Sequence, residues 1–272
     1  MPGFSHQYGP LALVTGAAEG LGEAFATELA DRGVNLMLVD VNGAGLERVA
    51  DRLDHKVVVD TFTCDLGDAD AVERIAAATV NPPGLVVSNA AIAPMGPLHL
   101  TAADALLRSL DVNVRTPLLL ARRFLPDMVG RGRGGLVLLA SMAGFHGSPG
   151  LAAYAASRAY NRALGESLWG ELRPHGVDVL ALAPGPTDTP GFRRSQPAPG
   201  RGPRVAPPAE VAREALDALA SPRHGPVLVP GLGNRLSSAL LNRVLPRAAA
   251  ARVVHLGLRR LYGDRLERAP GE

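Results

Sequence analysis

Short apolar runs alternate with helix-length amphipathic stretches along most of the chain. Residues 11–15, 35–39, 56–62, 84–88, 135–140, 177–183 and 226–229 read as strands. Several are apolar throughout, as expected of parallel strands covered on both faces. Between them, residues 21–32, 44–53, 69–78, 102–130, 152–174 and 208–219 read as helices. This alternation predicts right-handed βαβ units and one doubly wound α/β sheet of about seven parallel strands. No internal repeat at solenoid spacing is evident.

Two segments stand outside the pattern. Residues 190–208 are rich in Pro, Gly and Arg and read as a long loop, of the kind that often covers a site. After Gly231, Leu236, Leu240, Leu241 and Val244 recur at helical spacing, Pro246 breaks the pattern, and Val254, Leu258 and Leu261 resume it. Two appended amphipathic helices are expected there. Residues 1–231 would then form the sheet domain, with 232–272 a helical extension of the same domain.

Composition narrows the setting. Apolar residues make up 47% of the 272, enough for a large core. The single cysteine, Cys64, excludes an internal disulfide and fits a reducing compartment. With no basic-then-apolar leader and no apolar run near the ~18 residues that span a bilayer, a cytoplasmic protein is expected. The net charge of +2 hides an asymmetry. From Arg223 onward nine arginines face three acids, a surplus of six, which leaves the remainder at −4. Such a basic segment suits an anionic surface, so weak peripheral membrane contact is one expectation, and solvated arginines on a stripe folded back on the domain are the other. Without aromatic interleaving or a binding motif, nucleic acid is not an expected partner. No metal site is expected.

Thr15-Gly16-Ala17-Ala18-Glu19-Gly20-Leu21-Gly22 follows the first strand and opens the first helix of the pattern. Glycines here let backbone N–H groups approach a pyrophosphate, which then meets the positive end of the helix. Asp40 ends the second strand eighteen residues after Gly22, placed to accept hydrogen bonds from ribose hydroxyls. Its bland alternative is a cap for the next helix. Strand, glycines, helix and acid in this order mark a Rossmann-type dinucleotide site. Asp40 and Glu19 would repel a 2′-phosphate, and no arginine follows Asp40 closely, so NAD(H) is expected in preference to NADP(H).

With Asp65, Ser88-Asn89-Ala90-Ala91, Asn113, Ser141, Tyr154 and Pro184-Gly185 in order, residues 10–230 resemble the single-domain short-chain dehydrogenases/reductases. The resemblance implies that Asp65 contacts adenine, that Asn89 steadies the sheet centre, and that Asn113 joins an active-site water network. Pro184, Gly185 and Thr189 would lie beside the nicotinamide. The full set of cofactor contacts it implies is Gly16, Ala18, Glu19, Gly20, Leu21, Asp40, Val41, Asp65, Leu66, Asn89, Ala90, Ala91, Tyr154, Arg158, Pro184, Gly185, Thr187 and Thr189. Ala91 stands where the family usually has glycine. The helices at 102–130 and 152–174 resemble those through which family members pair, implying a homo-dimer or tetramer.

The chemistry expected is hydride transfer between nicotinamide and a secondary alcohol or ketone. Tyr154 would take or give the hydroxyl proton if its pKa of ~10 moves toward neutrality. Arg158, four residues on, shares its helix face. A cation ~4 Å away at an effective dielectric of ~20 is worth up to ~4 kcal/mol, roughly three pKa units. Ser141 would hold developing negative charge on the substrate oxygen. Singly, each has a plainer explanation: a strand-end serine, a packing tyrosine, a solvated arginine. Leu151, Phe192 and the loop suggest an apolar substrate, and His146 could line its pocket.

Arg158 departs from the family, which has lysine there to tune the tyrosine, bind ribose and relay protons. Arginine keeps the charge but does not release a proton. Lys56 is the only lysine in the chain, so drift toward arginine is a competing explanation. A Ser–Tyr–Arg set also occurs in the cofactor-free halohydrin dehalogenases, although the glycine motif, Asp40 and Asp65 argue against that assignment. A non-catalytic or non-redox NAD-binding relative is the third alternative.

Overall fold

The computed structural model describes residues 3–197 and 204–268. Seven parallel strands form one sheet in the order β3-β2-β1-β4-β5-β6-β7. They are β1 (Leu11–Thr15), β2 (Asn35–Asp40), β3 (Val59–Thr63), β4 (Leu85–Ser88), β5 (Gly134–Leu139), β6 (Val177–Leu182) and β7 (Val227–Leu228). The register aligns Leu38, Val14, Val87, Val137 and Leu180 in one row across five strands. All five side chains are buried, which explains their apolar character: helices cover both faces.

One face packs against α2 (Gly20–Asp31), α3 (Gly43–Leu53) and α9 (Pro208–Leu219), through residues such as Phe25, Leu29, Leu46, Val49 and Leu216. The other packs against α4 (Ala71–Ala78), α6 (Thr116–Arg131) and α7 (Ala152–Leu172), through Ile75, Leu120, Phe124, Met128 and Leu172. Strand order reverses between β1 and β4, so a crevice opens beyond the carboxyl ends of these strands. The candidate site residues cluster there.

Four departures from the pattern have local causes. The third strand begins at Val59 because the amides of Lys56 and Val57 still donate to Leu53 at the end of α3, at 2.9 and 3.3 Å. The stretch 102–130 is two helices, α5 (Ala103–Leu110) and α6, joined by a π turn over Asp111–Arg115. Pro117 lacks the N–H that would bond Asn113 four residues back, and the ladder widens so that Thr116 N–H reaches Asp111 instead. The expected loop at 190–208 contains α8 (Pro190–Arg194), capped by Thr189 Oγ1, which accepts from Phe192 N–H at 3.1 Å. The Pro/Gly run at 198–203 lies outside the described residues.

The fourth is α1 (Phe4–Tyr8), a short N-terminal helix that no periodicity announced. Its Tyr8 is fully buried, with the hydroxyl 2.8 Å from Asp178 Oδ2 and 3.0 Å from the Leu219 carbonyl. Burial, then the charge of Asp178, pushes the Tyr8 phenol upward. Tyr8→Phe is expected to cost roughly 1–2 kcal/mol, read by urea unfolding at neutral pH. The contribution is present below the ordinary phenol pKa of ~10 and is lost as pH rises beyond it. Wild type should therefore lose stability above pH ~10 more steeply than Tyr8→Phe; parallel curves would refute the assignment.

The C-terminal helices are α10 (Leu232–Ala239), continued by a π turn over Leu240–Val244, and α11 (Arg247–Tyr262). The apolar stripe divides between the two helices. On α11, Val254, Leu258 and Leu261 turn inward, whereas on α10 Leu232 and Leu236 are 75% and 72% exposed.

Candidate active site

The glycine loop leaves β1 through Gly16, whose φ of 67° lies in the left-handed region. A Cβ on Gly22 would sit 1.9 Å from the Gly16 carbonyl oxygen, so loop and helix meet at a distance only glycine permits. Asn89, just after β4, donates through Nδ2 to the carbonyls of Thr15 and Gly16 at 2.9 and 3.2 Å. Thr15 Oγ1 in turn accepts from the amides of Asn89 and Ala90 at 3.0 and 3.2 Å. These bonds lock the turn across the strand-order reversal. The first turn of α2 leaves N–H groups without intrahelical partners, and the side chain of its first flanking residue, Glu19, does not cap them. That cradle fits a dinucleotide pyrophosphate.

At the end of β2, Asp40 accepts from Ala18 N–H (3.1 Å) and Asn42 N–H (2.9 Å). Val41 beside it is exposed. Asp65 pairs with Arg108 at 2.5 Å and accepts from Gly67 N–H at 2.8 Å, and the Arg108 bond holds its carboxyl below the usual range. Leu66 points into the core, Leu21 is half-buried and Ala91 is exposed. Past β6, the Pro184 carbonyl accepts from Met142 N–H at 3.0 Å, joining this segment to the Ser141 turn. Thr187 Oγ1 donates to Gly185, and Thr189 lies against Gly20, where an added Cβ would come within 3.0 Å of the threonine Cβ.

The proposed chemical group sits at the end of β5 and on α7. Ser141 Oγ accepts from Ala143 N–H at 3.1 Å, capping a tight turn. That turn packs on α7, where a Cβ at Gly144 would lie 2.7 Å from Ala159 N. Tyr154 is half-buried and Arg158 is 3% exposed. The guanidinium carbon of Arg158 stands 5.0 Å from the Tyr154 ring centroid, over its face. Arg158 Nη1 donates to the Leu139 carbonyl at 2.6 Å, while its buried Nε has no partner. Asn113 is fully buried in the π turn; its side chain bonds both N–H and C=O of Ile92, at 3.0 and 2.8 Å. His146 Nε2 is buried without a partner, and burial followed by Arg247 lowers this imidazole.

Known proteins share this sequence pattern and fold. Residues 10–199 match the short chain dehydrogenase family. A 1-deoxy-11-beta-hydroxypentalenate dehydrogenase of Streptomyces exfoliatus is 37% identical over 220 residues, 78% of this chain and 80% of its own length. The chain belongs to the short chain dehydrogenase family. It shares that family's oxidoreductase character, nicotinamide cofactor and small-molecule substrates. A structure from work on 7beta-hydroxysteroid dehydrogenase stereoselectivity superposes with a TM-score of 0.84 at 25% identity, covering 93% of this chain and 99% of that one. A Sphingobium yanoikuyae short-chain dehydrogenase in complex with NADPH gives 0.76 at 28% identity, covering 87% of this chain and 96% of that one.

Four residues near the candidate site escaped the sequence reading. Asn161 donates from Nδ2 to the carbonyls of Asn113 (3.0 Å) and Leu139 (3.1 Å). Its signal was its place three residues after Arg158 on one helix. Arg48 and Arg194 correct the expectation that no arginine offsets the acids of the nucleotide loop. Arg48 reaches from α3 to the Ala18 carbonyl at 2.9 Å, and Arg194, 175 residues from Glu19 in sequence, forms a two-point ion pair with it. The bond to Arg194 is the main cause of the lowered Glu19 pKa. The fourth, Tyr262, comes from α11.

Proposed function

We propose that this dehydrogenase transfers a hydride between NAD(H) and a secondary alcohol or ketone with apolar substituents. The observation that carries the reading is the Arg158 guanidinium held over the Tyr154 ring at the carboxyl end of β5. When bound, nicotinamide supplies or accepts the hydride at the carbinol carbon. Tyr154 gives or takes the hydroxyl proton. Arg158 stabilises negative charge developing on the Tyr154 oxygen, and its unpartnered Nε is a donor available to a ribose hydroxyl. Ser141 holds the substrate oxygen. Asn113 keeps α5, α6 and α7 in register around this group, and Pro184, Gly185, Thr187 and Thr189 border the nicotinamide end.

Arg158 does not relay a proton. Asn161 donates to the Asn113 carbonyl, whose second lone pair stays available to the water network that the resemblance implies for Asn113. The halohydrin alternative would need a remodelled nucleotide pocket, whereas Gly16, Gly22 and Asp40 keep the cradle intact. A panel of ketones should oxidise NADH. Tyr154→Phe should lower turnover at least a thousandfold while NADH fluorescence enhancement on binding persists. Unchanged turnover in Tyr154→Phe would sink the mechanism. Tight NADH binding without turnover by wild type or Arg158→Lys would favour the non-catalytic alternative.

NAD(H) is proposed as the preferred cofactor because Asp40, fixed by two amides, presents its charge where a 2′-phosphate would lie. Glu19 adds less repulsion than its formal charge suggests, being paired with Arg194. NADH should bind at least tenfold more tightly than NADPH, and Asp40→Ala should narrow that gap. Equal affinities in wild type, measured by fluorescence titration, would reverse the assignment.

A homo-dimer or tetramer is proposed from the exposed apolar side chains Leu107, Leu110, Leu118 and Leu119 on α5 and α6. Among the described residues no helix is long and apolar enough to cross a membrane. The outward Leu232, Leu236, Leu240 and Val244, accompanied by exposed Arg243 and Arg247, favour weak peripheral contact with anionic lipid. Phosphatidylserine vesicles should co-sediment the protein, and Leu236→Asp with Leu240→Asp should release it. Negligible binding by both proteins would end the idea.

A further inference from the structure

Arg158 is a buried cation that the structure leaves without an acid. Residues three and four places away share its helix face, and on α7 these are Tyr154, Ala155, Asn161 and Arg162. None carries a negative charge at neutral pH. One turn on, Arg162 shows the usual arrangement, with Glu166 at 2.8 Å as its counter-ion. Among the described residues no carboxylate forms an ion pair with Arg158; its partners are the Leu139 carbonyl and the Tyr154 ring. Tyr262 on α11 also acts on Tyr154, but burial raises its phenol, so it brings no charge around neutral pH.

Asn161 stands where an acid would answer the guanidinium. It is fully buried, and its Nδ2 reaches the same Leu139 oxygen at 3.1 Å, beside Arg158 Nη1 at 2.6 Å. A carbonyl has two lone pairs, so this one is filled and no third donor competes for it. The second Asn161 bond, to the Asn113 carbonyl at 3.0 Å, fixes the amide from the π turn. Asn161 Oδ1 is then left buried without a donor, as Arg158 Nε is left buried without an acceptor. A carboxylate built on this frame would turn to the guanidinium.

We infer that Asn161 is a positioning residue for Tyr154, acting through Arg158: it fixes the guanidinium between the Leu139 carbonyl and the phenol ring and, being uncharged, leaves that cation without a counter-ion. This rests on the proposed roles of Tyr154 and Arg158. A buried cation is costly to hold unpaired, and the phenolate of Tyr154 is the anion placed to receive its charge. Position 161 thus decides how much of the Arg158 charge reaches the phenol.

The test titrates Tyr154 directly in the full-length protein. Its share of the ultraviolet tyrosinate absorbance, among four tyrosines, is the part that Tyr154→Phe removes in wild type, Asn161→Leu and Asn161→Asp. Asn161→Leu keeps the bulk but not the bonds, and should raise the titration midpoint by about half a pH unit. Asn161→Asp supplies the missing counter-ion and should raise it by about 1.5 pH units, since an anion beside the cation disfavours the phenolate. Adding Arg158→Gln should abolish the difference between the two variants, because a buried carboxyl without a cation stays protonated. Where cyclohexanol is oxidised by NAD+, the acid limb of kcat should move with the midpoint. If wild type oxidises no alcohol, the proposed reaction fails, and the phenol titration alone decides the inference. A shift in Asn161→Asp no larger than that in Asn161→Leu overturns it. Should Asn161→Asp fail to fold, an unmoved midpoint in Asn161→Leu does the same.

Discussion

The site is organised around one acceptor, the carbonyl of Leu139 at the end of β5. It receives Arg158 Nη1 at 2.6 Å and Asn161 Nδ2 at 3.1 Å, both from α7 and both buried. Hydrogen bonds from a charged donor are the stronger kind, and leaving such a donor unmatched inside the protein is costly. The pair therefore fixes the rotation of α7 about its axis. That rotation decides where Tyr154 points, one turn earlier on the same helix. Asn161 extends the lock to the Asn113 carbonyl, which Pro117 had left without a helical donor. Sheet, π turn and α7 thus share one network.

This arrangement makes an arginine at position 158 intelligible. An ammonium group is compact and offers its three donors from one atom. A guanidinium spreads five N–H groups over a plane. One is spent on Leu139, the plane covers the tyrosine ring, and Nε remains unassigned. Charge near the phenol is thereby retained at the expense of proton release. Drift toward arginine competes as an explanation of the residue type, but burial at 3% exposure with a 2.6 Å backbone bond is not the fate of a solvated substituent.

Much of the fold was legible because parallel strands buried on both faces must be apolar, and the glycine loop follows the first of them. Leu11–Thr15 and Pro208–Leu219 fall at the predicted bounds. What was not legible has a common physical character. Periodicity sees neither a helix as short as Phe4–Tyr8 nor a π turn, although Pro117 carried the signal for the latter. Long-range ion pairs such as Arg194–Glu19 leave no local trace at all. The outward leucines of α10 illustrate a related limit: spacing reveals a stripe but not which way the helix will turn it.

Arg194 and Arg265 give the segment after β6 a significance that its composition concealed. At one end of α8, Arg194 grips Glu19 in the nucleotide loop; just past the helix, the Ser195 carbonyl accepts from Arg265 of the extension. Both contacts lie at the surface or partly exposed, where a single ion pair contributes little to stability. Their effect is geometric. The glycine loop and the C-terminal extension are thereby linked through the five residues of α8. Stability of the domain resides in the two apolar layers around the sheet, and these weak contacts can rearrange without disturbing it.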